Sequence, residues 1–554
     1  MRTGRFRAAV AIAAAAALAA GMAGCAKSDR GDGDSKGGTM IFGAAGPPKN
    51  FDPIFNDDGE SFRPIRQMFE TLITTKPGTS ELTPGLATKW DHNDDGTQWT
   101  FTLRKGVKFS DGTTFDAAAV CYNFERWYNM KGAPAQSQMI YYGDVFGGFA
   151  KNEGDTTGQP LYKSCEAKDS GTAILHMNKF SGAFPGAFVL TSLSMSSPAA
   201  LKKYKADEVT QQGDSFSYST YATEHPTGTG PFTLQKYDQA NKTITLVRND
   251  NYWGPKAKLK KLIFKIIPDE NARKSELRAG TIDGYDLPSP ADYSSLRSDG
   301  FQVKLRDPFN VLYLGINQKG NPKLKDIRVR KAIAYALNRE ELVKTKLPDG
   351  AKVASQFYPS SVVGYASNVE QYPYDKKKAI SLLKAAGAQH LTLKFYYPTE
   401  VTRPYMPNPK ELFTVMANDL QAVGIKIEPH PEPWNGGFKD DVQKFGKQDL
   451  HMLGWTGDYN DPGNFTGTFF GRAKPEFGDD SMTDMFDAIN TAENNVDETA
   501  KDTAWQQVNR DLMSKWLPAI PISSSPPALV VSKDIKGLIP DPLTHEVFST
   551  VSKG

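Results

Sequence analysis

Sixteen apolar residues, Ala8 to Ala23, behind a basic start of Arg2, Arg5 and Arg7, constrain this chain more than any other feature. At about 1.5 Å per helical residue the run reaches roughly 24 Å, short of a hydrocarbon core of about 30 Å. It fits the apolar region of an export signal over residues 1–24 better than a membrane span. No other stretch approaches 18 apolar residues, so the mature chain is expected to fold outside the cytoplasm with no membrane helix. The three arginines leave with the signal, and the remainder holds 63 bases against 63 acids. That balance argues against a nucleic-acid binder, which needs a basic surplus to displace phosphate counterions.

The run ends in Met22-Ala23-Gly24-Cys25. Small residues ahead of a cysteine resemble the bacterial lipobox, in which the cysteine is lipidated and becomes the mature N-terminus; Met22 stands where an aliphatic residue is usual. The expectation is lipidation at Cys25, with a plain secretory signal as the alternative. Residues 25–37 are polar and Gly-rich, a flexible tether with a reach of roughly 20 Å. The domain would sit on the outer, or periplasmic, face of the cytoplasmic membrane. Cys121 and Cys165 remain, and in an oxidising compartment two cysteines read as one disulfide; two buried thiols are the alternative. They lack zinc spacing, and no metal or other cofactor is expected.

At 554 residues the chain is too long for one core, and about 150 residues per domain suggests three or four domains or lobes. Strands are expected at residues 39–42, 173–177, 230–237, 242–248 and 259–267. A hairpin turning at Asp95-Gly96 is expected over 89–108, and helices over 60–73, 115–128 and 269–279. Residues 129–172 read as loop-rich. After Arg306-Asp307-Pro308 the texture becomes strand and helix in alternation, an α/β pattern. Strands are expected at 311–317, 391–397, 425–428 and 450–453, and helices at 326–337, 376–386, 411–423 and 504–516. The tail reads as strand at 528–531 and 548–551.

Catalytic motifs are absent: no G-x-S-x-G, no H-E-x-x-H, no Walker loop, and seven scattered histidines. Carboxylate pairs are plentiful in a chain with 63 acids; Asp458 and Asp461 can be imagined as a glycosidase acid–base pair, with nothing to fix their separation. The informative stretch is LHMLGWTGDYNDPGNFTGTFF at 450–470. An apolar strand runs into Gly454, Gly457 and Gly463, which admit close backbone approach, and into the flat faces of Trp455, Tyr459 and Phe465. Asp458 places a charge at the strand's carboxyl end, where α/β lobes bind ligands.

Further motifs are GLA at 85–87 with Trp90, FTLRKGVKFSDG at 101–112, GTGPFTLQKY at 228–237 and NYWG at 251–254. IRVRKAIAYALNREEL at 327–342 and YDKKKAISLLKAAG at 374–387 follow. Together they resemble the extracytoplasmic solute-binding proteins of ABC importers, peptide/nickel group (family 5), from about Thr39 to the C-terminus. Thr402-Arg403-Pro404-Tyr405-Met406-Pro407-Asn408, and Gly454-Trp455-Thr456-Gly457-Asp458 with Asp461-Pro462 and Asn464-Phe465, look most like the dipeptide-binding branch. The resemblance implies that Arg403 holds a ligand α-carboxylate and Asp458 an α-ammonium. Tyr405, Trp434, Trp455 and Gly457 would line the same cleft. Tyr459-Asn460 after Asp458 is as in the oligopeptide branch, so dipeptide and longer peptide both stay open.

The resemblance also implies an α/β, two-lobed periplasmic-binding-protein-like fold of type II with a hinge and an interlobe cleft. Lobe I would be residues 38–308 plus 526–554, and lobe II residues 309–525. The implied function is not enzymatic: the protein, a monomer, would capture peptides and present them to ABC permease subunits powered by a separate ATPase. Other cargo in the same family (nickel chelate, haem, oligosaccharide) and an exported hydrolase are the alternatives.

Overall fold

The computed structural model describes residues 38–152, 159–213 and 215–554; the signal, Cys25 and the tether lie outside the described residues. The sheet nearest the N-terminus has seven strands. Their order is Phe232–Asp238, Thr243–Arg248, Lys261–Ile266, Thr39–Ala44, Gly284–Asp286, Ala528–Val531 and Gln302–Leu305. Thr39–Ala44 pairs parallel with Lys261–Ile266, matching Met40 to Leu262 and Phe42 to Phe264. These four side chains are buried under Phe62, Ile65 and Met68 of helix Gly59–Met68. The period-2 and helical patterns meet at one core there.

A four-stranded antiparallel sheet, ordered Ala87–His92, Gln98–Leu103, Thr172–Met177, Tyr162–Asp169, lies beside it. Helix Ala117–Tyr128 covers it, with the Asp116 carboxylate accepting from the Ala119 N–H at 2.9 Å. The sulfurs of Cys121, on that helix, and Cys165, on the edge strand, are bonded, with Cα atoms 5.1 Å apart.

The second large sheet has six strands, ordered Lys352–Val353, Ala519–Ser524, Asn310–Ile316, Leu450–Thr456, Thr392–Thr399, Lys426–Pro433. Asn310–Ile316 is buried at every position and runs antiparallel to both neighbours. The outer three strands pair parallel. The core around this sheet gathers residues from Phe309 to Ile522 and takes in Leu543 from the tail. The backbone passes between the two sheets along adjacent segments that bond to each other. Arg306 N–H donates to Pro527 C=O at 2.8 Å, and the Asn310 side chain bonds Ser525 C=O and N–H at 2.7 and 3.1 Å. Arg306 itself is buried between Asp286 (2.7 Å) and Glu546 (2.6 Å).

Three expectations differ from the structure, and one further strand, Ala519–Ser524, has no expectation set against it. The first helix stops at Met68, where the chain turns extended at Phe69 before strand Ile73–Thr75. Residues 129–172 hold helices Gly132–Gln138 and Ile140–Phe146 and strand Tyr162–Asp169. That strand is an edge whose outer half is exposed, so it lacks apolar alternation. Ala519–Ser524 is a strand despite Pro521, which sits where the pairing with Leu312 and Tyr313 shifts register. Phe548–Thr550 is a 3-10 turn, and only Ser552–Lys553 beyond it pairs, with Ile535–Lys536. Among the described residues no helix is long and apolar enough to cross a membrane.

Candidate ligand-binding cleft

Strand Leu450–Thr456 delivers the chemistry of the site. Gly454 lies against Tyr405: a Cβ there would come within 2.5 Å of the Tyr405 ring. Gly457 lies against Phe309 and Phe465, which a Cβ would meet at 2.3 and 2.5 Å. With no side chain at these points the loop is drawn tight, and Asp458 emerges just past the strand end. Asn464 fixes it. The Asn464 Oδ1 accepts from the Asp458 N–H at 2.7 Å and from Trp455 Nε1 at 3.3 Å, and its Nδ2 donates to Asp458 Oδ2 at 3.3 Å.

From the other sheet's side, Tyr141 Oη donates to Asp458 Oδ1 at 2.9 Å. Burial raises the Asp458 pKa to about 6, against the hydrogen bonds from Tyr141 and Asn464 and the charge of Arg66, which lower it. Two donors therefore incompletely replace the water this carboxylate has lost.

Arg403 and Trp434 form a second cluster. The guanidinium carbon lies 4.4 Å from the Trp434 ring centroid, and that ring stacks on Phe438 at 5.9 Å. The backbones of Arg403 and Met406 exchange hydrogen bonds of 3.1 and 2.9 Å, a tight turn that aims the side chain. No carboxylate pairs with Arg403 among the described residues. Tyr405 joins the clusters: its ring is buried against Gly454, two residues from Arg403, and burial pushes its hydroxyl up to about 12. The structure thus gathers Trp455, Gly457 and Asp458 around Asn464 and places Arg403 with Trp434; no direct contact joins Arg403 to Asp458.

The two sides of the cleft touch. Buried Lys501 pairs with Asp461 at 3.1 Å and donates to Gly182 C=O, on the opposite side, at 2.6 Å. Asn460 Nδ2 donates to Ser80 Oγ at 3.1 Å, and Tyr459 is buried in the core around Trp99 and Phe188. Asp461 is committed to Lys501 and to the Gly463 N–H (2.7 Å), which removes it as an acid–base partner for Asp458.

Residue-by-residue inspection missed Tyr141 and Lys501. Tyr141 lies in a segment read as loop; its signal was the Tyr141-Tyr142 pair, one ring buried and the other half-exposed on a short helix. Lys501 carried none, being one lysine among many on helix Glu498–Asp511.

Residues 81–476 match the family described as bacterial extracellular solute-binding proteins, family 5, middle region. The chain belongs to this family. The dipeptide-binding protein of Escherichia coli is 31% identical over 527 residues, covering 93% of this chain and 94% of that one. Heme-binding protein A of Haemophilus influenzae is 28% identical over 533 residues, covering 94% and 93%. Among solved structures, the ABC transporter-associated periplasmic binding protein DppA of Helicobacter pylori, in complex with the peptide STSA, superposes with a TM-score of 0.74 at 25% identity, covering 93% of this chain and 98% of that one. Family 5 membership makes this an extracellular solute-binding protein of a transport system, with the two-lobed architecture of its relatives.

Proposed function

We propose that the protein captures di- or short peptides between lobe I (residues 38–308 and 526–554) and lobe II (309–525) and delivers them, as a monomer, to an ABC permease with a separate ATPase. The observation that carries this is Asp458, a half-buried carboxylate at the junction of the two sides, destabilised as an anion and lacking a cation in contact among the described residues. A ligand ammonium supplies that cation with charge-assisted hydrogen bonds. Arg403, stacked on Trp434 and without a carboxylate partner among the described residues, offers the complementary fork for the other end of a zwitterion. Tyr405, Trp455 and Gly457 shape the wall between. Fixing both termini and leaving the side chains to adaptable contacts permits breadth of sequence. Contacts on both sides of the cleft make ligand binding favour closure about the paired crossings at Arg306–Asn310 and Ser525–Pro527.

We further propose that residues 1–24 are a lipoprotein signal, that Cys25 carries the anchor and that 25–37 form the leash. Mass spectrometry of ligand released from the purified protein tests the cargo. Peptides of two to five residues support the proposal; a haem absorbance band, a nickel chelate or an oligosaccharide in their place refutes it.

A further inference from the structure

We propose that Arg66 reads a carboxylate on the first side chain of a bound peptide, so that the site prefers peptides beginning with glutamate or aspartate. This rests on the peptide assignment above, with Asp458 taking the α-ammonium.

Arg66 belongs to helix Gly59–Met68 and lies one turn beyond Phe62. Its guanidinium carbon sits 5.3 Å from the Phe62 ring centroid, and that ring packs on Tyr141 at 5.9 Å. Tyr141 in turn donates to Asp458. The cation is thus two aromatic rings from the carboxylate, and its field reaches it.

The guanidinium is held firmly, and by neutral groups alone. Nε donates to Thr191 Oγ1 at 2.7 Å and Nη1 to Thr544 C=O at 2.9 Å; Nη2 donates to nothing among the described residues. The neighbouring carboxylates, Glu546 and Asp541, act on it through their charge but make no hydrogen bond to it among the described residues. Glu546 accepts from Arg306 at 2.6 Å, and Asp541 accepts the N–H groups of Gly78, Leu543 and His545. Thr544 adopts φ +60°, a left-handed conformation unfavourable for threonine, and that turn presents its carbonyl to Arg66. With no carboxylate hydrogen-bonded to the guanidinium among the described residues, Nη2 is left for an anion that arrives with the ligand. Burial, aided by the like charge of Arg63 and opposed by the charges of Glu546 and Asp541, lowers the Arg66 pKa to about 10, which leaves it charged at neutral pH.

In this proposal the peptide with its ammonium on Asp458 places its first Cα between Asp458 and the lobe I wall that carries Tyr141, Phe62 and Arg66. A side-chain carboxylate there gains a charge-assisted bond to Arg66, whereas the isosteric amide gains a weaker one. The test is calorimetric titration of Glu-Ala, Gln-Ala and Ala-Glu against wild type, Arg66→Met and Arg66→Lys. In wild type, Glu-Ala should bind roughly 10- to 100-fold more tightly than Gln-Ala, the range for a hydrogen bond to a charged group. Ala-Glu, with its carboxylate one residue on, should not share the gain. The ratio should fall to about one in Arg66→Met and recover in part in Arg66→Lys, a comparison within each variant that is independent of any general loss of affinity. Equal binding of Glu-Ala and Gln-Ala by wild type, or a preference that persists in Arg66→Met, overturns the role of Arg66 and leaves the peptide assignment standing. No binding of any of the three by wild type refutes the peptide assignment and this inference with it.

Discussion

Replacing Asp458 with asparagine removes one charge and almost nothing of the shape. Asn464 Nδ2, 3.3 Å from Oδ2, can still donate to the single carbonyl oxygen, and Tyr141 Oη, 2.9 Å from Oδ1, can turn to accept from the new amide N–H. A bound ammonium, however, loses its counter-ion inside a closed cleft. Removing one partner of a desolvated charge pair costs roughly 2–5 kcal/mol. At about 1.4 kcal/mol per decade, affinity for a free dipeptide should fall roughly 30- to several-thousand-fold. The raised pKa adds a pH signature. The ligand takes the ionised form, so below the Asp458 pKa of about 6 each binding event must first expel a proton. Wild-type affinity should be flat above that pKa and fall about tenfold per pH unit below it. Asp458→Asn should be weak and flat throughout. The contribution to folding runs the other way: the protonated carboxyl suits the empty site better, so its stabilisation is present at low pH and lost as pH rises through about 6. Calorimetric titration of Ala-Ala and N-acetyl-Ala-Ala at pH about 5 and about 7.5 separates these effects, since the acetylated ligand carries no ammonium and should gain nothing from Asp458. Wild-type affinity that does not change between the two pH values, or an asparagine variant that binds Ala-Ala as tightly as wild type, would sink the ammonium-clamp mechanism.

Lys501→Met leaves the Asp461 carboxylate buried near Glu493 with, among the described residues, the Gly463 N–H as its remaining donor, and breaks the bond to Gly182 across the cleft. Denaturant titration should show a loss of about 3 kcal/mol or more, together with weaker peptide binding; an unchanged midpoint would refute the pairing. Non-reducing peptide mapping of the exported protein should find Cys121 joined to Cys165, and the double serine variant should lose about 4 kcal/mol for a loop of 44 residues. Two alkylatable thiols in the native protein would contradict this. Metabolic labelling with palmitate should mark the wild type, and Cys25→Ala should abolish the label and release protein to the medium; an unlabelled wild type removes the anchor but not export.

What the sequence makes legible here is what lies close together along it. Trp455, Gly457, Asp458 and Asn464 fall within ten residues, and one strand-to-loop transition carries them all, so the wall of the cleft could be read without its fold. Tyr141 meets Asp458 across 317 residues, and Lys501 meets Gly182 across 319. No local period encodes either meeting, because it depends on how two lobes close. Pro521 hid a central strand for a related reason. Its missing N–H matters only against a ladder, and the register shift opposite it is set by Leu312 and Tyr313, more than two hundred residues earlier. Motif resemblance, not periodicity, supplied Arg403; its stacking on Trp434 has a sequence separation of only 31 residues but rests on the parallel pairing of Thr392–Thr399 with Lys426–Pro433.

The tail strand Ala528–Val531 sits inside the seven-stranded sheet, between Gly284–Asp286 and Gln302–Leu305, and pairs antiparallel with both. That position imposes an order of assembly. As the chain emerges from its N-terminus, lobe II has every strand of its own sheet by Ser524, whereas lobe I waits with an inner place empty and two unpaired strand edges facing it. Contacts this distant in sequence form slowly, and open edges are where chains aggregate. Lobe I therefore depends on escort, or on rapid completion, until nearly the last residues arrive. A nascent chain stalled before residue 528 should hold a finished ligand wall on a half-built partner.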